Sequence, residues 1–183
     1  MAIAKEIHLK IRSVKNTKKI TKAMEMVAAS KMRKTQDRMH KAVPYAQKIL
    51  DVISHVALGH SEYRHPYTEK RDIKRVGYIV ISTDRGLAGG LNTNLFKSSE
   101  ELIKGKQVSF IVFGKKAREY AMKMGYTIVA EFTGMPEKLR FEDALPIADI
   151  MMKSFLSGEY GEVYLLHMQF VTTLSQKPHV EHL

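Results

Sequence analysis

The residues whose types and spacing best suit chemistry form the run Ser82-Thr83-Asp84-Arg85-Gly86-Leu87-Ala88-Gly89-Gly90-Leu91-Asn92. The run follows an apolar strand pattern and opens a helical one, the place where α/β folds hold ligands. Its three glycines are able to present backbone N–H groups to a phosphate. The order, however, is G-x-x-G-G; neither G-x-G-x-x-G nor G-K-[ST] is present. The next strand pattern ends in Phe113 and not in an acid that would hold a ribose. A tight strand-to-helix turn, with glycines that permit close packing, is therefore the expected reading. Gly114-Lys115-Lys116 is a weaker signal of the same kind. Cations at a helix N-terminus oppose the helix dipole, so either a bound anion offsets these lysines or solvent does.

Eight histidines stand at 8, 40, 55, 60, 65, 167, 179 and 182, and only His179-Val180-Glu181-His182 is closely spaced. An i,i+3 pair shares an ion when it lies on a helix, but Pro178 argues against a rigid helix there, and no metal site is expected. The chain has no cysteine, which excludes disulfides, thiolate catalysis and Cys-based zinc sites. Spacing nominates no Ser/His/Asp set, since such triads are spatial. Asp84 and Arg85 are the one charged pair at a strand end. No catalytic residue, cofactor or metal ligand is expected, and the chain does not read as an enzyme.

Two kinds of element must carry these residues. From residue 76 onward, VGYIVIS (76–82), QVSFIVF (107–113), YTIVAEF (126–132) and EVYLLHMQF (162–170) read as four buried strands. Helical patterns lie between them at about 92–104, 115–124 and 141–157. Alternating strands and helices predict a small Rossmann-like βαβ domain over 76–183 with a mostly parallel sheet. Residues 59–75 form a polar linker.

Residues 1–58 are a different object. There is no Gly before Gly59 and no Pro before Pro44, and good helix formers abound. A 4,3 spacing runs through Ile7, Ile11, Val14, Lys18, Thr21, Glu25, Ala28, Met32, Thr35, Met39, Ala42, Ala46, Ile49, Ile53 and Val56, and eleven of these fifteen are apolar. That is a coiled-coil seam. The pattern resumes in register past Pro44, which predicts a kink there and not an end. Some 55 helical residues span about 80 Å, so the helix is expected to project from a compact domain and to need a partner helix. At Lys18, Thr21 and Glu25 the seam is polar, and the apolar residues shift to Ile20, Met24 and Val27.

Charge follows the same division. Residues 1–75 hold 18 Lys and Arg against 7 Asp and Glu, whereas residues 76–183 hold 12 of each. The whole excess of +11 therefore lies in the first two-fifths of the chain. A basic helix meets acidic protein, phosphate or solvent. The first 44 residues contain no aromatic side chain and three Arg, which argues against a nucleic-acid binder, the alternative class. No run of 18 apolar residues is present to span a membrane.

The stretch KITKAMEMVAASKM (19–32), the opening AKEIHLKIRSVKNTK, the loop STDRGLAGGLN and the late strand EVYLLHMQF together resemble the gamma subunit of bacterial F-type ATP synthase. The resemblance covers essentially the whole chain from residue 2. It implies a non-catalytic, central-stalk rotor subunit that couples proton flow to ATP synthesis by rotation. Its implied partners are the alpha and beta subunits, the epsilon subunit and the membrane c-ring, with no nucleic acid and no cofactor. Its implied location is the cytoplasmic face of the bacterial inner membrane, held peripherally through the complex. By the resemblance, Lys19, Lys22, Met24, Lys31, Arg33, Arg85 and Ala88 touch partner subunits. Ile7, Ile11, Val14, Ala28, Met32, Met39, Ile49 and Ile53 form the seam of the shaft. The family's chains continue into a long C-terminal shaft helix that these 183 residues do not include, so this chain alone is expected to self-associate through its seam or to leave much of the long helix disordered.

Overall fold

The structure, a computed structural model, describes residues 2–59, 65–68, 75–136 and 138–183. It divides into two compact units, Met1–Tyr63 and Arg64–Leu183. Most of the expected linker 59–75 lies outside the described residues; within it Pro66–Thr68 form a 3-10 turn.

The first unit is one helix, α1, Ala2–Gly59, which continues through Pro44. Its hydroxyl residues do not interrupt it, because they bond back to the preceding turn. Thr17 donates to the Ser13 carbonyl at 3.1 Å, Thr21 to the Thr17 carbonyl at 3.0 Å, and Thr35 to the Lys31 carbonyl at 2.9 Å. Glu25, a polar break in the seam, pairs with Lys22 at 3.1 Å. Every described side chain of α1 except Gln36 and Met39 is exposed. The exposed set includes the seam residues Ile7, Ile11, Val14, Met32, Ile49 and Ile53, each more than 40% accessible.

The second unit is a five-stranded sheet with helices on both faces. In chain order it contains β1 (Arg75–Ile81), α2 (Leu91–Ile103), β2 (Gln107–Phe113), α3 (Lys115–Met124), β3 (Thr127–Phe132), α4 (Phe141–Leu156), β4 (Glu162–Thr172) and β5 (Ser175–His182). The spatial order is β3-β2-β1-β4-β5. β1 pairs in parallel with β2 and β4, and β2 with β3, whereas β5 runs antiparallel to β4. After β3 the chain crosses back to the far side of β1, so the order reverses between β1 and β4, a doubly wound arrangement.

Strand alternation sorts the core into two layers. Val76, Tyr78 and Val80 of β1 join Phe110, Val112 and Leu166 against Leu95 and Ile103 of α2 and Ala117 and Ala121 of α3. Ile79, Ile111 and Val163 face Ile147 and Met151 of α4, together with Tyr160. Gly77 sits under that second layer; a Cβ there would lie 3.1 Å from Met151 Cε and 3.2 Å from Tyr160, so its bare backbone admits both side chains. Tyr78 is fully buried and stacked between Phe110 and Tyr164, with ring centroids 5.7 and 5.5 Å away.

The fifth strand corrects the sequence reading, which placed four strands and treated 178–182 as loosely held. SQKPHVEH lacks a continuous apolar run because β5 is an edge strand and one of its sides faces no neighbour. Pro178 is tolerated for the same reason, since an edge position need not donate to a further strand.

The described Arg64–Leu183 unit owns both core layers, so residues 64–183 alone are expected to unfold cooperatively in urea. Burial raises the Tyr78 phenol from 10.0 to about 12, with Tyr164 and Glu162 adding to the effect. A raised folded-state value means full stability below pH 10 and loss of it as the pH climbs from 10 toward 12, because the unfolded chain ionises first. The urea midpoint should fall across that interval, and Tyr78→Phe should make the fall shallower. A midpoint independent of pH there would contradict the burial.

Candidate functional site

The most densely bonded polar cluster among the described residues lies where β1 and β2 end side by side, Ile81 opposite Phe113. The amide of Ser82 donates to the Phe113 carbonyl at 2.8 Å, extending the ladder by one rung. α3 then begins at Lys115, and its first N–H groups have no partner within the helix. Residues after β1 supply them. Lys115 N–H donates to Asp84 Oδ1 at 3.0 Å, Lys116 N–H to the Thr83 carbonyl at 3.1 Å, and Ala117 N–H to Ser82 Oγ at 2.7 Å. The second oxygen of Asp84 accepts from Gly134 N–H at 3.0 Å, tying in the turn after β3. Asn92 closes the loop onto α2: its amide donates to Thr83 Oγ1 at 2.8 Å and its Oδ1 accepts the Thr83 N–H at 3.3 Å.

This network answers the phosphate reading at the start of α3. There the Asp84 carboxylate of the chain itself accepts the Lys115 N–H, and the Lys116 ammonium pairs with Glu119 at 2.6 Å. The donors a phosphate would need at α3 are already taken by Ser82, Thr83 and Asp84. Gly114 serves the backbone: it has φ +93, and a Cβ on it would lie 2.4 Å from the Ser82 carbonyl oxygen, whereas a Cβ on Gly86 or Gly89 would meet nothing within 4 Å, so close packing is not what those two loop glycines permit. The sequence signal for this brace was the pairing of two segments, Asp84 just after the first strand and Gly114-Lys115 just after the second, whose ends adjoin only once strand order is known.

With Asp84 turned inward, the loop presents its remaining residues outward. Arg85 is exposed, and its carbonyl accepts from Thr83 Oγ1 at 2.7 Å. Leu87 is 96% accessible and holds a φ of +63, a left-handed conformation unusual for a residue with a Cβ. Ala88 is half-buried. An exposed Arg beside a fully exposed Leu on a braced loop suits a protein contact better than bond-making chemistry.

On α1, described by itself, Lys19, Lys22, Met24, Lys31 and Arg33 are all exposed. Arg12, Lys15, Lys19 and Lys22 line a shallow groove with Ile11, Ala23 and Met26, which gives this stretch a basic flank along an apolar strip. Ile20, Met24 and Val27, the residues that shift off the seam, are 60%, 54% and 56% accessible. The polar seam positions Thr21 and Glu25 are satisfied within the helix.

In the second unit, β5 overturns the idea of His179 and His182 as an i,i+3 helical pair. In a strand they point to opposite faces. His182 lies against Tyr164 at 4.9 Å between rings, and His179 against His167 at 5.3 Å. Beneath α4 an apolar cavity of about 550 Å³ is lined by Ile79, Ile81, Phe113, Ile147, Met151, Leu165 and neighbours. Its polar members Arg140 and Asp143 serve the helix start, where the Asp143 carboxylate accepts the Arg140 N–H at 2.8 Å.

If Asp84 is a brace, Asp84→Ala should cost about 1–2 kcal/mol, the upper range for loss of a helix cap, because two backbone donors lose their acceptor at once. Gly114→Ala should cost more, since backbone and not a flexible side chain blocks the methyl group. Urea denaturation of the full chain measures both. An unchanged midpoint for Asp84→Ala would remove the brace.

A family model described as ATP synthase matches residues 3–183. The chain is 49% identical to the ATP synthase gamma chain of Glaesserella parasuis serovar 5 (strain SH0165) over the whole of its own length, and spans 65% of that protein. Among solved structures it is similar to a chain of the Tetrahymena thermophila mitochondrial ATP synthase central stalk and c-ring, at 24% identity and a TM-score of 0.67, covering 90% of this chain and 71% of that one. It is also similar to a chain of the Euglena gracilis mitochondrial ATP synthase, at 17% identity and a TM-score of 0.53, covering 84% and 54%. The long helix followed by a doubly wound sheet is thus a shared fold, and the full-length match shows that the chain belongs to the ATP synthase gamma chain family.

Proposed function

We propose that this chain is part of the central-stalk rotor subunit of F-type ATP synthase, a non-catalytic shaft that couples proton flow in the membrane sector to ATP synthesis by rotation. The observation that carries the reading is α1, 58 residues of unbroken helix whose apolar seam is exposed. Such a helix is stable only with partners along its length. The partners proposed are the alpha and beta subunits around the shaft, with the epsilon subunit and the c-ring at its foot. The seam of Ile7, Ile11, Val14, Ala28, Met32, Met39, Ile49 and Ile53 is assigned to helix pairing within the shaft. Lys19, Lys22, Met24, Lys31 and Arg33 on α1, and Arg85 and Ala88 on the braced loop, are assigned to contacts with the catalytic ring.

No described helix is long and apolar enough to cross a membrane. Attachment is proposed to be peripheral, through the complex, at the cytoplasmic face of a bacterial inner membrane. The relatives lend the nucleic-acid alternative no support.

The test is size-exclusion chromatography of the chain mixed with bacterial alpha and beta subunits. Co-elution is expected, and Arg85→Ala should weaken it only about two- to fivefold, the range of one exposed ion pair. Separate elution, under conditions where an intact gamma chain co-elutes, would overturn the assignment. Tight ATP binding by the isolated chain that is lost in Arg85→Ala would overturn the non-catalytic role of the loop.

A further inference from the structure

We propose that His167, His179 and Glu181 form a binding site for a divalent late transition metal such as Zn²⁺ on the edge hairpin of the sheet. One ligand atom from each of the three lies within 4.8 Å of the other two. The juxtaposition follows from strand register. His167 of β4 stands directly opposite His179 of β5, and Glu181 is two residues further along β5, opposite Leu165. Residues two apart on a strand share a face, so all three side chains leave the sheet on the side that Val163 and Leu165 give to α4. Met168, Tyr164 and Val180 take the other side, with α2.

The donor set selects the class of ion. Two imidazoles and one carboxylate suit Zn²⁺, Co²⁺, Ni²⁺ or Cu²⁺, whereas Ca²⁺ and Mg²⁺ require oxygen. Three protein ligands leave a further position open to water or to a partner's side chain. A tetrahedral ion with bonds of about 2.0–2.1 Å needs ligand atoms roughly 3.4 Å apart. The widest pair must therefore close by about 1.5 Å, which side-chain rotation accomplishes without moving the strands. The rings already meet edge to face, at 70° between planes. His167 and Glu181 are half-buried, which limits the rotamers they sample before an ion arrives. A bound ion would clip β5, which has a neighbour on one side only, to β4.

This inference goes beyond the rotor assignment and is tested apart from it. The untagged full chain, freed of metal with EDTA and dialysed, is titrated with ZnCl₂ by calorimetry, and its thermal midpoint is followed with added Zn²⁺. One site in the micromolar range is expected, with a midpoint that rises with Zn²⁺ concentration as binding to the folded state requires. His167→Gln or His179→Gln should weaken it about tenfold or more, as should Glu181→Gln to a smaller degree, with helix content and metal-free midpoint preserved. Five other histidines lie in residues 1–65, so the variants separate this site from binding there. Zn²⁺ affinity unchanged within about twofold in either histidine variant, or no binding at millimolar Zn²⁺, would overturn the proposal. Should a histidine variant unfold, Glu181→Gln decides alone: full affinity in that variant removes Glu181 and with it the three-ligand site.

Discussion

A helix cannot bury its own seam. Each apolar side chain along α1 that stays in water forgoes about 1.5–3 kcal/mol for the larger residues, and the helix presents such side chains from Ile7 to Val56. Helix propensity alone does not hold a helix of this length against that cost. The shaft reading of α1 follows from the constraint: the seam must be met by another helix, and the basic flank beside it must be met by something that tolerates lysine. The excess charge of residues 1–75 opposes pairing of identical copies, more strongly at low salt, where the screening length exceeds the about 8 Å of physiological ionic strength. Charge and seam together favour a partner that is apolar where the seam lies and acidic where the lysines lie.

The second unit owns its core. Its sheet is covered on both faces, the charges of residues 76–183 balance, and the orphan donors at the start of α3 are met by residues following β1. In many doubly wound folds that crevice is left for a ligand. Here Asp84 fills the anion position from within the chain, and its two oxygens join three separate segments. The fold's usual binding place becomes a rivet that stiffens the platform under Arg85 and Leu87.

Elements with strong internal pattern were legible in the sequence. The helix of α1 follows from its composition and period, and the strands β1 to β4 and the helices α2 to α4 follow from period because one face or stripe of each is buried. β5 was not legible: as an edge strand it carries no continuous apolar run, and Pro178 masks what remains. The same miss hid the juxtaposition of His167 with His179, which depends on antiparallel register and not on spacing along the chain. The role of Asp84 was out of reach for a similar reason. Its partners, Lys115 and Gly134, are 31 and 50 residues away and become neighbours only through the order of the strands. What the sequence offers of the loop is its exposed Arg85; the bracing half is a property of topology.

The back-bonded hydroxyls of α1 bear on how this helix feels to whatever surrounds it. Thr17, Thr21, Thr35 and Ser54 spend their protons on carbonyls of their own helix. The surface they leave combines methyl groups and thioethers with long charged side chains. Dispersion and screened charge depend weakly on angle, whereas hydrogen bonds depend on it steeply. A surface of this kind has a smooth energy profile under rotation about its axis, with few deep notches in which a neighbour would lock. In mechanical language, α1 is finished as a journal and not as a gear.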